Sequence, residues 1–285
     1  MAPDRKGTWL IIVAAILWST GGIGIKAVTN GPLEVACLRS AIAGITLFAI
    51  FRPRIPKLTP AFFVAVVSYA GCLTCFVTAT KWTTAANAIF IQYSGIIWVI
   101  LLSPRVLGEK LRRIDIVAAA VAFAGMTLFF AGDVDTRGMA GNLVALLSSL
   151  FFAGVYLGLR RERDNGAEAA VCWGNILAVV ALAPLALPGI QVSPKSAAVL
   201  VFLGVFQIAV PYALFVRGLR TVPAVHASLL GMLEPITNPI WVLLFLGERP
   251  RAHAIAGGLI VLAAVAWRTA SQSGQGERRE ARGEK

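Results

Sequence analysis

Apolar stretches without a charge, separated by short polar segments, run along almost the whole chain. Thr59 to Ala79, Thr83 to Pro104, Gly138 to Leu159, Ala169 to Pro194 and Ser196 to Val216 contain no Asp, Glu, Lys or Arg. At 1.5 Å of helical rise per residue, each reaches across a hydrocarbon core of roughly 30 Å, which takes about 20 residues. Backbone groups in lipid must be paired within the segment, and these runs exceed the ~9–11 residues of a barrel strand, so each run predicts a helix. The pattern predicts ten spans: 8–28, 32–51, 60–80, 83–103, 115–132, 138–159, 167–188, 194–216, 222–246 and 252–268. Span two requires Arg39 within it, and spans five and ten sit near the short limit of about 17 residues. The tail 269–285 is polar, mixed in charge and expected to be disordered.

Composition agrees with that pattern. Of 285 residues, 58% are apolar and 14% charged, with a mean hydropathy of +0.77, whereas soluble domains average roughly 45–50% and 25%. A soluble globular protein is excluded, and the partner implied is the lipid bilayer. The net charge of +12 does not indicate nucleic-acid binding, because the basic residues lie between spans instead of forming one stripe. Most of them fall on one side: Arg5 and Lys6, Arg52, Arg54 and Lys57, Arg105 to Arg113, Arg160 to Arg163, Arg217 and Arg220, and Arg268 onward. By the positive-inside rule both termini are expected in the cytoplasm, with the protein multi-pass in the inner (plasma) membrane. Arg5 and Lys6 before an apolar run outline a signal peptide, but Trp9 to Val28 is longer than the usual ~7–15-residue apolar region, so it reads as an uncleaved span. The four cysteines, Cys37, Cys72, Cys75 and Cys172, read as packed thiols, since Cys72-x-x-Cys75 has no second pair or flanking His to make a metal site.

An internal repeat appears once the spans are placed. Thr83-Thr84-Ala85-Ala86-Asn87-Ala88 aligns with Val222-Pro223-Ala224-Val225-His226-Ala227, and at the same spacing Leu107-Gly108-Glu109 falls on Leu246-Gly247-Glu248. Near the two starts, Trp18-Ser19 aligns with Phe152-Ala153, preceded by Gly7 against Gly141. The expected division is 1–133 for the first repeat, 134–268 for the second and 269–285 for the tail. Five spans per repeat turn the second copy upside down, the architecture of transporters that alternate access around a central site. The fold class is therefore an all-α integral membrane protein with ten transmembrane helices in two inverted five-helix repeats.

The chain resembles the drug/metabolite transporter superfamily, EamA type, over residues 8–268. The resemblance rests on Ile16-Leu17-Trp18-Ser19-Thr20, Pro32 followed by Leu38-Arg39, Leu233-Glu234-Pro235, and Gly108-Glu109-Lys110 with Gly247-Glu248-Arg249. Within the superfamily it looks most like the YddG-type amino-acid exporters. The resemblance implies a ten-helix exporter or exchanger of small metabolites with a central cavity lined mainly by spans one, three, four, six, eight and nine. The Glu-Pro signature occurs once: repeat one has Tyr93-Ser94-Gly95-Ile96 where repeat two has Met232-Leu233-Glu234-Pro235.

Glu234, at the middle of its span, is the central ionisable residue, where a charge costs at least a few kcal/mol. It reads as a proton carrier, as the partner of a substrate ammonium, or as a neutral group bracing a kink. Pro235 and Pro239 leave the carbonyls of Gly231 and Pro235 without helical donors. Asn87, Ile91, Ser94 and Trp98 recur at helical spacing and predict one inward face of span four, which also carries Gln92 and Tyr93. Trp18, Ser19, Thr74, Thr78, Tyr156, Gln207 and Tyr212 complete the candidate substrate-binding set, each weighed against plain helix packing. His226 is a second proton-coupling candidate, or a structural imidazole near the interface. Arg39 reads as structural, snorkelling outward or paired with Glu34 or a backbone carbonyl. No metal or cofactor is expected.

An integral-membrane enzyme is disfavoured: there are two histidines, His226 and His253, and no paired carboxylates within the spans. Neither a Walker motif nor a filter loop is present, which argues against ATP-driven transport and a channel. Secondary export of small metabolites, amino acids foremost, fits best; a drug-like cation, nucleoside or sugar is the alternative. The inventory of aromatics, hydroxyls and amides with one carboxylate suits an apolar zwitterion better than a sugar phosphate. The expected state is a monomer or weak homo-oligomer.

Overall fold

A computed structural model describes residues 5–53, 56–131, 138–246 and 252–281. Among the described residues the structure is helical, without strands. The spans are α1 (Arg5–Ala27), α2 (Pro32–Phe51), α3 (Pro60–Trp82) and α4 (Ala85–Leu107), then α5 (Arg113–Phe129). They continue as α6 (Met139–Arg161), α7 (Ala167–Ala186) and α8 (Pro194–Gly218), α9 in two pieces (Ala224–Gly231 and Leu233–Leu246), and α10 (Ala252–Ala281). Eight are long and apolar enough to cross a bilayer individually. The other two are α5, with 17 residues, and α9. The chain is a multi-pass membrane protein. Helix α10 is drawn to Ala281, past the Thr269 boundary expected for a disordered tail. Arg54, Asp135, Glu248, Arg249 and Arg251 lie outside the described residues, as does the side chain of Pro239.

Local chemistry sets where several helices start. Thr59, Thr84 and Ser193 accept the amides of Phe62, Asn87 and Ser196, capping α3, α4 and α8. Pro60 and Pro194 follow two of these caps, where no amide hydrogen is needed.

The packing follows the repeat. Helix α1 packs on α8 as α6 packs on α3, while α2 meets α7 and α5 meets α10. The aligned pair Gly7 and Gly141 shows why two of these contacts are close. A Cβ on Gly7 would lie 2.2 Å from Thr221 Oγ1, and one on Gly141 would lie 2.7 Å from the Thr83 nitrogen. Each glycine thus seats the first span of one repeat on the corner between the third and fourth spans of the other. A buried Arg268–Asp115 ion pair ties α10 to α5.

Four spans are irregular at mid-length. Helix α1 is interrupted after Trp18, α4 after Tyr93 and α9 after Gly231. In α8, Leu203–Ala209 widens into π-helical turns. The widening has a covalent cause: Pro211 has no amide hydrogen for the Gln207 carbonyl, and the Val210 amide reaches back to Val205. Irregular backbone at membrane depth is stable only where its polar groups find partners inside the bundle. Ser19 Oγ donates to the Ile16 carbonyl, Thr20 Oγ1 to Leu17 and Ser94 Oγ to Ile91, each three residues back at an interruption.

Candidate functional site

The interruptions of α4 and α9 and the widened part of α8 surround one cavity of about 50 Å³. Helix α1 contributes Trp18; α3 contributes Cys72, Leu73 and Phe76; α4 contributes Gln92. Phe152, Val155 and Tyr156 come from α6, Gln207, Ile208, Tyr212 and Phe215 from α8, and Glu234 from α9. Helix α2, absent from the spans that the family resemblance implies, contributes Arg39.

The wall is largely aromatic. Trp18 meets Tyr212 and Phe215 edge-on, with ring centroids 4.9 and 5.1 Å apart, and Tyr156 meets Phe152 and Phe215 at 4.6 and 4.9 Å. Trp18 and Phe152, aligned in the two repeats, thus stand in the wall of the same cavity.

Two ionisable side chains enter this wall. Tyr93 Oη lies 2.6 Å from the Gly231 carbonyl and 2.8 Å from Glu234 Oε2. The Gly231 carbonyl is the one that Pro235 deprives of its helical donor. A phenol carries one hydrogen, so both contacts are hydrogen bonds only when protonated Glu234 donates to Tyr93 and Tyr93 donates to Gly231. When Glu234 is ionised, Tyr93 donates to one acceptor and leaves the other. Arg39 is fully buried. Its Nη1 donates to Gln207 Oε1 at 3.3 Å and its Nη2 to the Leu73 carbonyl at 3.4 Å. Gln207 is held by the Trp18 carbonyl, which accepts its Nε2 at 3.4 Å. Among the described residues, Trp18 Nε1, Arg39 Nε and Tyr156 Oη have no hydrogen-bond partner.

Of the substrate-binding candidates, the structure brings Trp18, Tyr156, Gln207, Tyr212 and Glu234 to the cavity wall, with Tyr93 behind Glu234. The others are elsewhere. Ser19 is buried, bonded to Ile16 and accepting Trp241 Nε1 at 2.6 Å. Thr78 Oγ1 donates to the Thr74 carbonyl within α3. Asn87 is fully buried and donates to Thr83 and Asn142, joining α4 to α6. Ser94 closes the interruption of α4, and Trp98 is 40% exposed on the outer surface. His226 lies away from the cavity, 3.2 Å from Thr269 Oγ1.

The face expected from Asn87, Ile91, Ser94 and Trp98 fails because α4 is not one helix; beyond Ser94 the azimuth restarts and Trp98 turns to lipid. Of the readings of Arg39, pairing with a carbonyl is the one seen, Nη2 donating to Leu73, and snorkelling outward or pairing with Glu34 is not. Glu34 is taken by the Asn30 amide and the Gly31 N–H at the start of α2, and the guanidinium points inward to Gln207. Gln92, one position before Tyr93, is the cavity residue of α4 and donates to Ser148 Oγ at 2.8 Å and Cys72 Sγ at 3.3 Å. The aromatics Phe152 and Phe215 were not among the candidates; the alignment of Phe152 with Trp18 was the available signal.

Polar links hold both ends of the bundle. At one end Lys26 Nζ donates to the Thr83 carbonyl at 2.9 Å and Lys81 Nζ to Val28. At the other, Arg160 pairs with Glu109 at 2.8 Å and donates to the Leu219 and Arg220 carbonyls, while Glu109 accepts the Ala224 amide. The cavity of about 50 Å³ lies between these two sets of links.

Comparisons with known proteins agree on one family. The family described as "EamA-like transporter family" matches twice, at residues 5–131 and 139–269. A protein of Archaeoglobus fulgidus named as an uncharacterized transporter is 27% identical over 274 residues, covering 93% of this chain and 97% of its own. A probable terminal-alkyne amino-acid exporter of Streptantibioticus cattleyicolor is 23% identical, covering 91% and 92%. The pseudopaline exporter CntI of Pseudomonas aeruginosa is 25% identical, covering 91% and 94%.

Proposed function

The chain belongs to the EamA-like transporter family, and on that premise we propose that it exports amino acids from the cytoplasm by alternating access through the cavity between its two repeats. The observation that carries this reading is the cavity itself. It lies where the interrupted spans meet, its wall is aromatic, and Glu234 enters it from α9. Interrupted helices around a midplane cavity are the usual site of secondary transporters. Relatives named as a probable terminal-alkyne amino-acid exporter and as a pseudopaline exporter support export as the direction, and the first supports an amino acid as the solute.

Glu234 supplies the coupling. In the arrangement described above its proton completes the chain from Glu234 through Tyr93 to Gly231. A substrate ammonium arriving from the cytoplasm takes the place of that proton, which is released to cytoplasmic water, and when the substrate leaves on the other side a proton from water there reprotonates Glu234. Opening alternates between the Lys26 end and the Arg160 end. The surplus of Lys and Arg at the Arg160 end supports a cytoplasmic position for that end and for both termini, with the protein in the inner (plasma) membrane. No partner chain is needed for the site; we take the unit to be a monomer or weak homo-oligomer.

Counterflow in liposomes holding the purified protein tests the reading. Labelled apolar amino acids should exchange, and labelled sugars and nucleosides should not. Exchange of sugars or nucleosides alone would overturn it.

A further inference from the structure

The cavity wall holds one cation, Arg39, and one carboxylate, Glu234, and among the described residues no hydrogen bond or ion pair joins them, an arrangement that bears on the other end of the substrate. A guanidinium fully removed from water needs an anion or a full set of acceptors, because a buried charge without compensation is costly. Arg39 has neither: two of its five N–H groups meet neutral oxygens, Gln207 Oε1 and the Leu73 carbonyl, both at long distances. Its Nε is without a partner, and among the described residues it forms no ion pair. Two more buried donors in the same wall, Trp18 Nε1 and Tyr156 Oη, are also unmatched. Glu34, the carboxylate on its own helix, is occupied at the helix start. Glu234 satisfies the geometry around Tyr93 when it is neutral.

Resting on the transport reading above, we infer that Arg39 binds the α-carboxylate of the transported amino acid, with Trp18 Nε1 and Tyr156 Oη as additional donors available to it. Gln207 is the positioning residue: braced on the Trp18 carbonyl by the widened turn of α8, it holds the guanidinium fork toward the cavity. Glu234 receives the ammonium, and the aromatic wall of Phe152, Tyr212 and Phe215 receives an apolar side chain. The substrate class is thereby narrowed to compounds with a free carboxylate and a free ammonium. A monoamine leaves Arg39 unpaired, and a carboxylic acid lacking the ammonium leaves Glu234 unused.

The test uses phenylalanine counterflow in liposomes, with phenylalaninamide, phenethylamine and 3-phenylpropionate as competitors. For the wild-type protein, phenylalaninamide and phenethylamine should compete at least ~30-fold more weakly than phenylalanine, the scale of truncating a buried charged pair. Arg39→Gln should reduce phenylalanine exchange by a similar factor without weakening competition by phenethylamine, and Arg39→Lys should recover part of it, keeping the charge but losing the fork. Equal competition by phenylalanine and its amide in the wild-type protein overturns the inference and leaves the transport reading standing; this arm does not depend on the folding of any variant. Arg39→Gln that exchanges phenylalanine like wild type also overturns it. Wild-type protein that exchanges no amino acid overturns the inference and the transport reading together.

Discussion

Tyr93 Oη and Glu234 Oε2 are 2.8 Å apart, and this contact joins the interruption of α4 to that of α9. The phenol has a single hydrogen to give, and this contact is one of two that its oxygen makes. The same hydroxyl lies 2.6 Å from the Gly231 carbonyl, so the protonation of Glu234 decides whether the carbonyl freed by Pro235 is satisfied. A carboxylate facing the cavity is thereby linked to the backbone of the helix that has to move.

Tyr93→Phe removes the hydroxyl and keeps the ring. It leaves the Gly231 carbonyl and Glu234 without their partner in a buried place, a cost of about 1–3 kcal/mol. The variant should unfold at a lower temperature in detergent and show an altered pH dependence of exchange. An unchanged melting temperature together with a wild-type pH profile would remove Tyr93 from the account.

Glu234→Gln keeps the donor to Tyr93, because the amide N–H₂ takes the place of the acid O–H. The folded protein should therefore be retained, while the ammonium loses its charged partner and the titration disappears. Exchange should fall at least tenfold and become flat across about pH 5 to 8. Full activity with the wild-type pH profile would mean that Glu234 only braces the interruption.

Much of this fold was legible in the chain because lipid imposes a simple rule: every backbone group must be paired within the span, so long uncharged runs announce helices. The repeat was legible for a similar reason, since Gly7 and Gly141 seat equivalent corners. What periodicity could not supply was azimuth beyond an interruption. Asn87 and Trp98 share a face only on an unbroken helix, and the hydroxyls of Ser19 and Ser94, which look like ligands for a substrate, are used by the carbonyls at those interruptions. Arg39 was hidden by the general expectation that arginine snorkels, although Glu34 had a local use at the start of α2.

Trp18 and Trp98 make a matched pair for testing the placement. Trp18→Ala removes a wall residue of an aromatic cluster and should weaken exchange of large apolar amino acids more than small ones. Trp98→Ala alters a residue 40% exposed on the outer surface and should exchange amino acids within about twofold of wild type. The opposite ranking would return the inward face of α4 to Trp98.

The ion pair of Arg160 and Glu109 ties α6 to the turn after α4 at one end of the bundle. Glu109→Gln loses the ion pair and weakens the hold on the α9 N-terminus. Cysteines introduced near the α4–α5 turn should then react faster with a membrane-impermeant maleimide from the cytoplasmic side, and no faster from the other. Equal rates in both proteins would show that this link does not govern opening, and faster labelling from the opposite side alone would reverse the orientation.

The central claim is that solute passes through the cavity where α4, α8 and α9 are irregular, and Cys72 in its wall is a native reporter. In a variant with Cys37, Cys75 and Cys172 replaced by Ala, alkylation of Cys72 by a small permeant thiol reagent is timed in liposomes with and without phenylalanine. The account predicts that phenylalanine slows the alkylation, with half-protection at the concentration that half-saturates its counterflow, and that sucrose does not. Phenylalanine exchange at full rate with Cys72 alkylation unaffected at every concentration would contradict it.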